Sequence, residues 1–290
     1  MKRSRSGNKS GTPAGSKRQK ISGPNNNLKS SNINNAKSKF GKMTSKNIAG
    51  LNNGNMPAGG QGETRIVDIS GRKFIAKIFD SKGWYQANYL AQQEHDLHQY
   101  TYSRATPSVK RHFSVPIAVS GKYTLQTMIP NVTDAFDIIA PLTTSSDIEA
   151  DLRSLQPTVK KLKPQFRALM NHLSSIGVVH GDLTENNLLV SGYNTDHPLL
   201  VLIDFGKAHY GDRQNSFRGF AEPAHDYFIT HPNMHVAIRE LVRIQKSRLK
   251  GNQNFRSQIS RALYATTFLR YLLGVDTLDT TMNNLRNRLT

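Results

Sequence analysis

The 290-residue sequence contains no cysteine. This excludes disulfides, thiolate metal sites and cysteine nucleophiles, and it fits a reducing compartment. There is no run of about 18 apolar residues, so no membrane-spanning helix is predicted. No apolar stretch follows the first basic residues either, which argues against a secretory signal. Acid is missing from residues 1–62: the first acidic residue is Glu63, whereas twelve of the 39 Lys and Arg residues fall in that stretch. It therefore carries +12 of the formal net charge of +19, and the remaining sequence is only mildly basic. These absences predict a soluble intracellular protein with no membrane partner.

Composition divides the chain in two. Residues 1–56 are rich in Ser, Asn, Gly and Lys, with the isolated hydrophobes Ile21, Leu28, Ile33 and Phe40. Such a segment has too little apolar surface to offset the entropy of ordering it, so it is predicted to be a disordered basic tail. Two clusters within it, Lys2-Arg3 and Lys17-Arg18-Gln19-Lys20, resemble a bipartite nuclear localisation signal. That resemblance implies a nuclear import receptor as partner and the nucleus, with the cytoplasm as a second location. The alternative is a solvated basic tail, which also suits nucleic acid through phosphate contacts.

Residues 57–290 read as the folded domain. Residues 65–68 and 73–79 have strand character around a turn at Ser70-Gly71. A helix is predicted over 84–101, with Leu90, Glu94 and Leu97 at turn spacing. Apolar stretches at 113–119 and 123–129 are further strands, and the chain after residue 145 reads mostly helical. Phe166, Leu169, Met170 and Leu173 recur at i, i+3, i+4 and i+7, the mark of one buried stripe. Later helices are marked by Ile238, Leu241 and Val242, and by Ile259, Leu263 and 268–273. A strand-rich first part and a helix-rich second part predict an α+β protein with two lobes.

The chemistry concentrates in residues 178–206. Residues 178–190 read VVHGDLTENNLLV, and residues 199–206 read LLVLIDFG. Two short apolar strands joined by the turn 191–198 form an antiparallel hairpin, in which the start of one strand lies beside the end of the other. Asn187 and Asp204 occupy those two positions, with Asp182 five residues upstream. Oxygen ligands converging in this way suit Mg2+, which is bound by one or two protein groups plus phosphate oxygens and water. On the strand 74–79, alternation puts Lys77 on the same face as Ile75 and Phe79. A lysine in an apolar stripe needs a partner. Glu94, mid-helix between Leu90 and Leu97, is one candidate and Asp96 is its competitor.

His180, Asp182, Leu183 and Asn187, followed by Asp204, Phe205 and Gly206, resemble the H-R-D-L-x-x-x-N and D-F-G motifs of the protein kinase superfamily. The resemblance implies a two-lobed kinase-like fold that uses ATP and Mg2+. It implies Asp182 as the catalytic carboxylate, Lys77 on the ATP phosphates, Glu94 as its helix partner, and Asn187 and Asp204 as metal ligands. His180 is left as structural support. In place of the Gly-rich loop stand Gly60 and Gly62, with Arg65 where the third glycine would fall. Asp226 resembles a helix aspartate that anchors the catalytic loop; a helix N-cap is the alternative.

Within that superfamily, HGDLTENN resembles the RIO kinases and the kinase subunit of the KEOPS tRNA-modification assembly. Gln61-Gly62-Glu63 and Ile203-Asp204-Phe205-Gly206 favour the KEOPS-like side. Gly181 replaces the arginine that pairs with a phosphorylated activation loop, and Ala221-Glu222-Pro223 is not an Ala-Pro-Glu motif. No switching by loop phosphorylation is therefore expected. The resemblance implies a serine/threonine protein kinase with a protein hydroxyl as substrate. The alternatives are an ATPase in an RNA-modifying assembly, a small-molecule phosphotransferase and a non-catalytic nuclear binding module.

Overall fold

The computed structural model describes residues 30–42, 62–81, 86–211, 229, 230, 232 and 264–286. The first element is a helix, α1 (Ser30–Gly41), which falls inside the segment expected to be disordered. Its apolar residues are few, but Ile33, Ala36 and Phe40 lie on one face at i, i+3 and i+7. Ala36 is 2% exposed and Phe40 fully buried. The composition of 1–56 hides this helix because three well-spaced hydrophobes suffice when a sheet is waiting to be covered.

That sheet is the small lobe. Strands β1 (Gly62–Asp68) and β2 (Lys73–Phe79) pair antiparallel around Ser70 and Gly71, both at positive φ. Helix α2 (Ala87–Arg104) and the short α3 (Pro107–Lys110) follow. Strands β3 (Pro116–Ser120) and β4 (Tyr123–Thr127) then complete the order β1-β2-β4-β3. The strand expected over 113–119 starts later because the 112–113 backbone turns to the other lobe: the Leu202 amide donates to the His112 carbonyl at 2.9 Å, and Phe113 bridges to Leu202.

Cross-strand register sorts the two faces of this sheet. Val67 faces Phe74 and Thr127, and Ala76 faces Leu125, on the side that packs with Ile33, Ala36 and Phe40. Thr64, Ile75, Lys77 and Gln126 point the other way, into a cleft. One face thus takes the tail helix and the other takes the chemistry.

The large lobe begins with β5 (Val132–Asp134), α4 (Ala135–Ile139) and a 3-10 turn over Ala140–Thr144. Helix α5 (Ile148–Ser175) is capped by the Asp147 side chain, which accepts from the Ala150 amide. It runs through Pro157 and Pro164, each of which costs about 3 kcal/mol in a helix interior. The buried stripe Leu152, Leu155, Leu162, Phe166, Leu169, Met170 and Leu173 offsets that cost. Strands β6 (Val178–Val179), β7 (Leu188–Ser191), β8 (Leu199–Leu202) and β9 (His209–Tyr210) follow, then α6 (264–272) and α7 (Leu278–Arg286). β7 and β8 form the expected hairpin, Leu188 opposite Leu202. β5 adds to the β7 edge, and β6 pairs with β9. Among the described residues, no helix is long and apolar enough to cross a membrane. Asp226, residues 221–223 and the helix marked by Ile238, Leu241 and Val242 lie outside the described residues, as does Ile259 with Leu263.

Candidate active site

Between the lobes, strand alternation brings the Lys77 side chain inward, where it is 7% exposed. Its Nζ lies 2.7 Å from Glu94 Oε2 and 2.7 Å from Asp204 Oδ1. It also sits 5.0 Å from the centroid of the Phe79 ring. One ammonium thereby joins β2, α2 and the loop after β8. Of the two candidate carboxylates, Glu94 is the one at Lys77. Asp96, two residues further along the helix, is exposed and accepts from Gln92 Nε2 at 2.7 Å.

The charges follow from this geometry. Burial alone would lower the Lys77 pKa, but Glu94 and Asp204 outweigh it and hold it above the usual lysine range. Burial pushes Glu94 up to about 7, with Lys77 opposing the rise. Burial also acts to raise Asp204, yet Lys77 and the Gly206 amide leave it below the usual carboxylate range.

Residues 180–187 form a tight loop between β6 and β7. His180 Nε2 contacts the Ile203 carbonyl at 2.9 Å. Gly181 has φ of +81°, and a Cβ there would lie 2.3 Å from the Lys207 carbonyl oxygen. Only glycine tolerates both conditions, so an arginine could not replace it without moving the backbone. Asn187 Nδ2 donates to the Asp182 carbonyl at 2.9 Å and to Asp182 Oδ2 at 3.2 Å. The Ile203 amide donates to the Asn187 carbonyl at 3.0 Å, closing the hairpin beside Asp204. Asp204 itself has φ of +63°. This left-handed conformation is held by the Gly206 amide on Oδ1 at 3.0 Å, and strained backbone of this kind clusters at functional sites.

Phe205 locks the pieces together. It stacks on His98 of α2 at 4.6 Å, meets His180 edge-on at 5.1 Å, and lies 6.1 Å from Phe113. Burial pushes His98 down to about 3, so the ring stays neutral at physiological pH. Sequence reasoning missed this histidine, although His98 falls one turn after Glu94 on the same helix. It also missed Lys207, whose Nζ donates to Asp182 Oδ1 at 3.0 Å.

The donor set fits Mg2+. Asn187 and Asp204 offer hard oxygens, and the Asn187 amide nitrogen is turned to Asp182. Among the described residues both hydrogen bonds of Asp204 fall on Oδ1, which leaves Oδ2 for a cation. No group of three or more His, Cys, Asp or Glu side chains suited to a metal occurs among the described residues; one or two protein ligands are usual for an Mg2+ that would be held together with substrate phosphates. The inner wall of the cleft is made by Thr64, Ile75, Gln126, Met128, Leu189 and Ile203. Gly62 begins β1 at its edge, and Gly60 lies outside the described residues.

Residues 126–215 match the model of a phosphotransferase enzyme family. Over these residues the chain is similar to kinase-like phosphotransferases. The match covers the hairpin, Asp182, Asn187 and Asp204, while Lys77 and Glu94 precede it. A search of curated proteins gave no match. The family match supports a kinase-like phosphotransfer activity, whereas the KEOPS and RIO likeness remains one of short motifs.

Proposed function

We propose that the protein is an ATP-dependent phosphotransferase that transfers the γ-phosphoryl group to a serine or threonine hydroxyl of a protein. The observation that carries this reading is the triangle of Lys77, Glu94 and Asp204, with Nζ 2.7 Å from each carboxylate. It aligns a phosphate-holding cation, a helix and a metal-ligand loop across the interlobe cleft.

Lys77 holds the phosphates, and the Glu94 carboxylate keeps its ammonium in place. Asn187 and Asp204 would hold Mg2+, which neutralises phosphate charge when bound. Asp182 orients the acceptor hydroxyl. As the bond between the γ-phosphorus and its bridging oxygen breaks, the acceptor oxygen bonds to phosphorus, its proton passes to an Asp182 carboxylate oxygen, and ADP leaves. Positioning and charge stabilisation supply the catalysis.

A second reading, transfer to a hydroxyl of a small molecule, is favoured by the family match itself. Phe205 packs against His98 of α2, and that packing is compatible with either acceptor. Incubation with γ-labelled ATP and Mg2+ in the presence of generic protein, RNA or aminoglycoside separates the acceptors. Label on protein is the expected result. Label only on the small molecule replaces it with the second reading, and free phosphate without a labelled product points to an ATPase.

The basic clusters at Lys2-Arg3 and Lys17-Arg18-Gln19-Lys20 support nuclear import as part of this proposal. Since α1 belongs to the small lobe, residues 1–29 are the segment to test. A reporter fused to them is expected to accumulate in the nucleus; cytoplasmic retention removes the targeting role.

A further inference from the structure

Lys207 follows directly on Asp204-Phe205-Gly206, and three observations fix its place. The pairing of β6 with β9 sets Val178 opposite Tyr210 and Val179 opposite His209, which lays residues 207–210 along the entry to the catalytic loop. The Lys207 carbonyl sits where a Cβ on residue 181 would stand, 2.3 Å from that position, so the close approach exists because residue 181 is glycine. His209 Nδ1 contacts the same carbonyl at 3.1 Å. The backbone is thus pinned, while the side chain reaches Asp182 Oδ1 at 3.0 Å with 49% of its surface exposed.

Lys77 and Lys207 are differently placed. Lys77 is enclosed by two carboxylates on the inner side. Lys207 stands at the solvent side, on the carboxylate that receives the acceptor hydroxyl. The motif residue beside that carboxylate, an arginine in kinases of the H-R-D type, is glycine here and carries no charge. A cation does stand beside the carboxylate, and it comes from Lys207 in the segment after the metal loop.

Resting on the phosphotransferase reading, we infer that Lys207 is a catalytic residue that contacts the γ-phosphoryl group and stabilises its equatorial oxygens during transfer. Among the described residues this exposed ammonium is held by Asp182 alone, so it can pivot to the phosphoryl group without breaking a buried pair, whereas Lys77 cannot. Lys207 moves no proton: the acceptor proton still goes to Asp182, and the ammonium supplies charge at the oxygens where charge is spread in the transition state.

The test compares the full-length wild type with Lys207→Met and Lys207→Arg. Equilibrium binding of ADP and of adenylyl imidodiphosphate, each with Mg2+, is measured beside steady-state turnover of ATP. The wild type is expected to prefer the triphosphate analogue about tenfold, a contact worth one charged hydrogen bond. Lys207→Met is expected to lose that preference with ADP affinity unchanged, and to lower kcat about 10²-fold. Lys207→Arg should retain both properties within a few-fold. A Lys207→Met protein that keeps the triphosphate preference, or that turns over ATP as fast as the wild type or faster, overturns the inference. Wild type that binds neither nucleotide overturns the phosphotransferase reading and Lys207 with it. Wild type that binds both nucleotides equally overturns the role of Lys207 alone.

Discussion

Lys77→Met is expected to lower phosphoryl transfer by about 10³-fold and to destabilise the fold by about 3–5 kcal/mol near neutral pH. Both effects have one source. The Lys77 ammonium is the counter-charge of Glu94, which is 5% exposed, and of Asp204. Removing it takes away the phosphate contact and leaves two carboxylates facing each other in the cleft.

The pH dependence of the stability loss has a definite sign. Glu94 has its pKa raised from 4.5 to about 7, so between those values the folded state binds more protons than the unfolded state. Stability therefore falls as pH rises through that window. Without Lys77 the Glu94 pKa climbs further and the fall continues above pH 7. Asp204, held low by Lys77, loses its own stabilising contribution in the variant. The gap in thermal midpoint between wild type and Lys77→Met should be small at pH 5 and widen to pH 8. A gap that is constant over that range contradicts the ion-pair account. Near-ultraviolet circular dichroism at pH 6 checks that the activity loss is not simple unfolding.

Asp276→Ala is expected to cost about 3–5 kcal/mol by a different route. Just past the end of α6 stands Gly274, with φ of +67°. The Val275 amide returns to the Arg270 carbonyl at 2.9 Å and the Gly274 amide to the Tyr271 carbonyl at 2.8 Å. These two bonds form a Schellman cap. The cap folds the chain back so that Asp276 meets Arg270 with both carboxylate oxygens, at 2.8 and 2.7 Å. The Arg270 side chain is 1% exposed, and its Nη1 also donates to the Ile229 carbonyl at 3.1 Å. Removing the carboxylate takes away the two charged hydrogen bonds that Arg270 makes to Asp276 in the core. Replacing both partners with apolar residues, Arg270→Met with Asp276→Leu, should recover much of the loss, because the desolvation of the pair then disappears as well. Urea denaturation of the three variants measures this. A double variant no more stable than Asp276→Ala would contradict it.

What the sequence makes legible follows the range of each interaction. The β7–β8 hairpin and the juxtaposition of Asn187 with Asp204 are local, fixed by two apolar runs and one turn, and the register Leu188 to Leu202 matches them. The buried stripe of α5 is equally readable from its period. The choice of Glu94 over Asp96 depends on how α2 rotates against the sheet, and periodicity alone leaves it open. Helix α1 is illegible because its burial comes from a sheet whose strands are spread between Gly62 and Thr127. Arg270 and Asp276 look like ordinary surface charges until the Gly274 turn brings them together. Lys207 stays hidden for a related reason: its meaning depends on the close approach of its carbonyl to Gly181, beside the pairing of β6 with β9.

Gly181 links the two levels of reading. At the sequence level its lack of a side chain removes the arginine that would answer a phosphorylated loop. In the structure the same lack lets the segment after Phe205 close onto the catalytic loop. The missing cation and the close backbone approach are one feature.

The central claim is that the cleft transfers the γ-phosphoryl group of ATP with Asp204 as a metal ligand. The most direct measurement is the initial rate of γ-phosphate release or transfer from labelled ATP, with Mg2+, by wild type and Asp204→Asn. The account predicts turnover by wild type and a loss of about 10²-fold or more in the variant, with both proteins folded. Equal rates for the two proteins, or no turnover by wild type with any of the three acceptors, would contradict it.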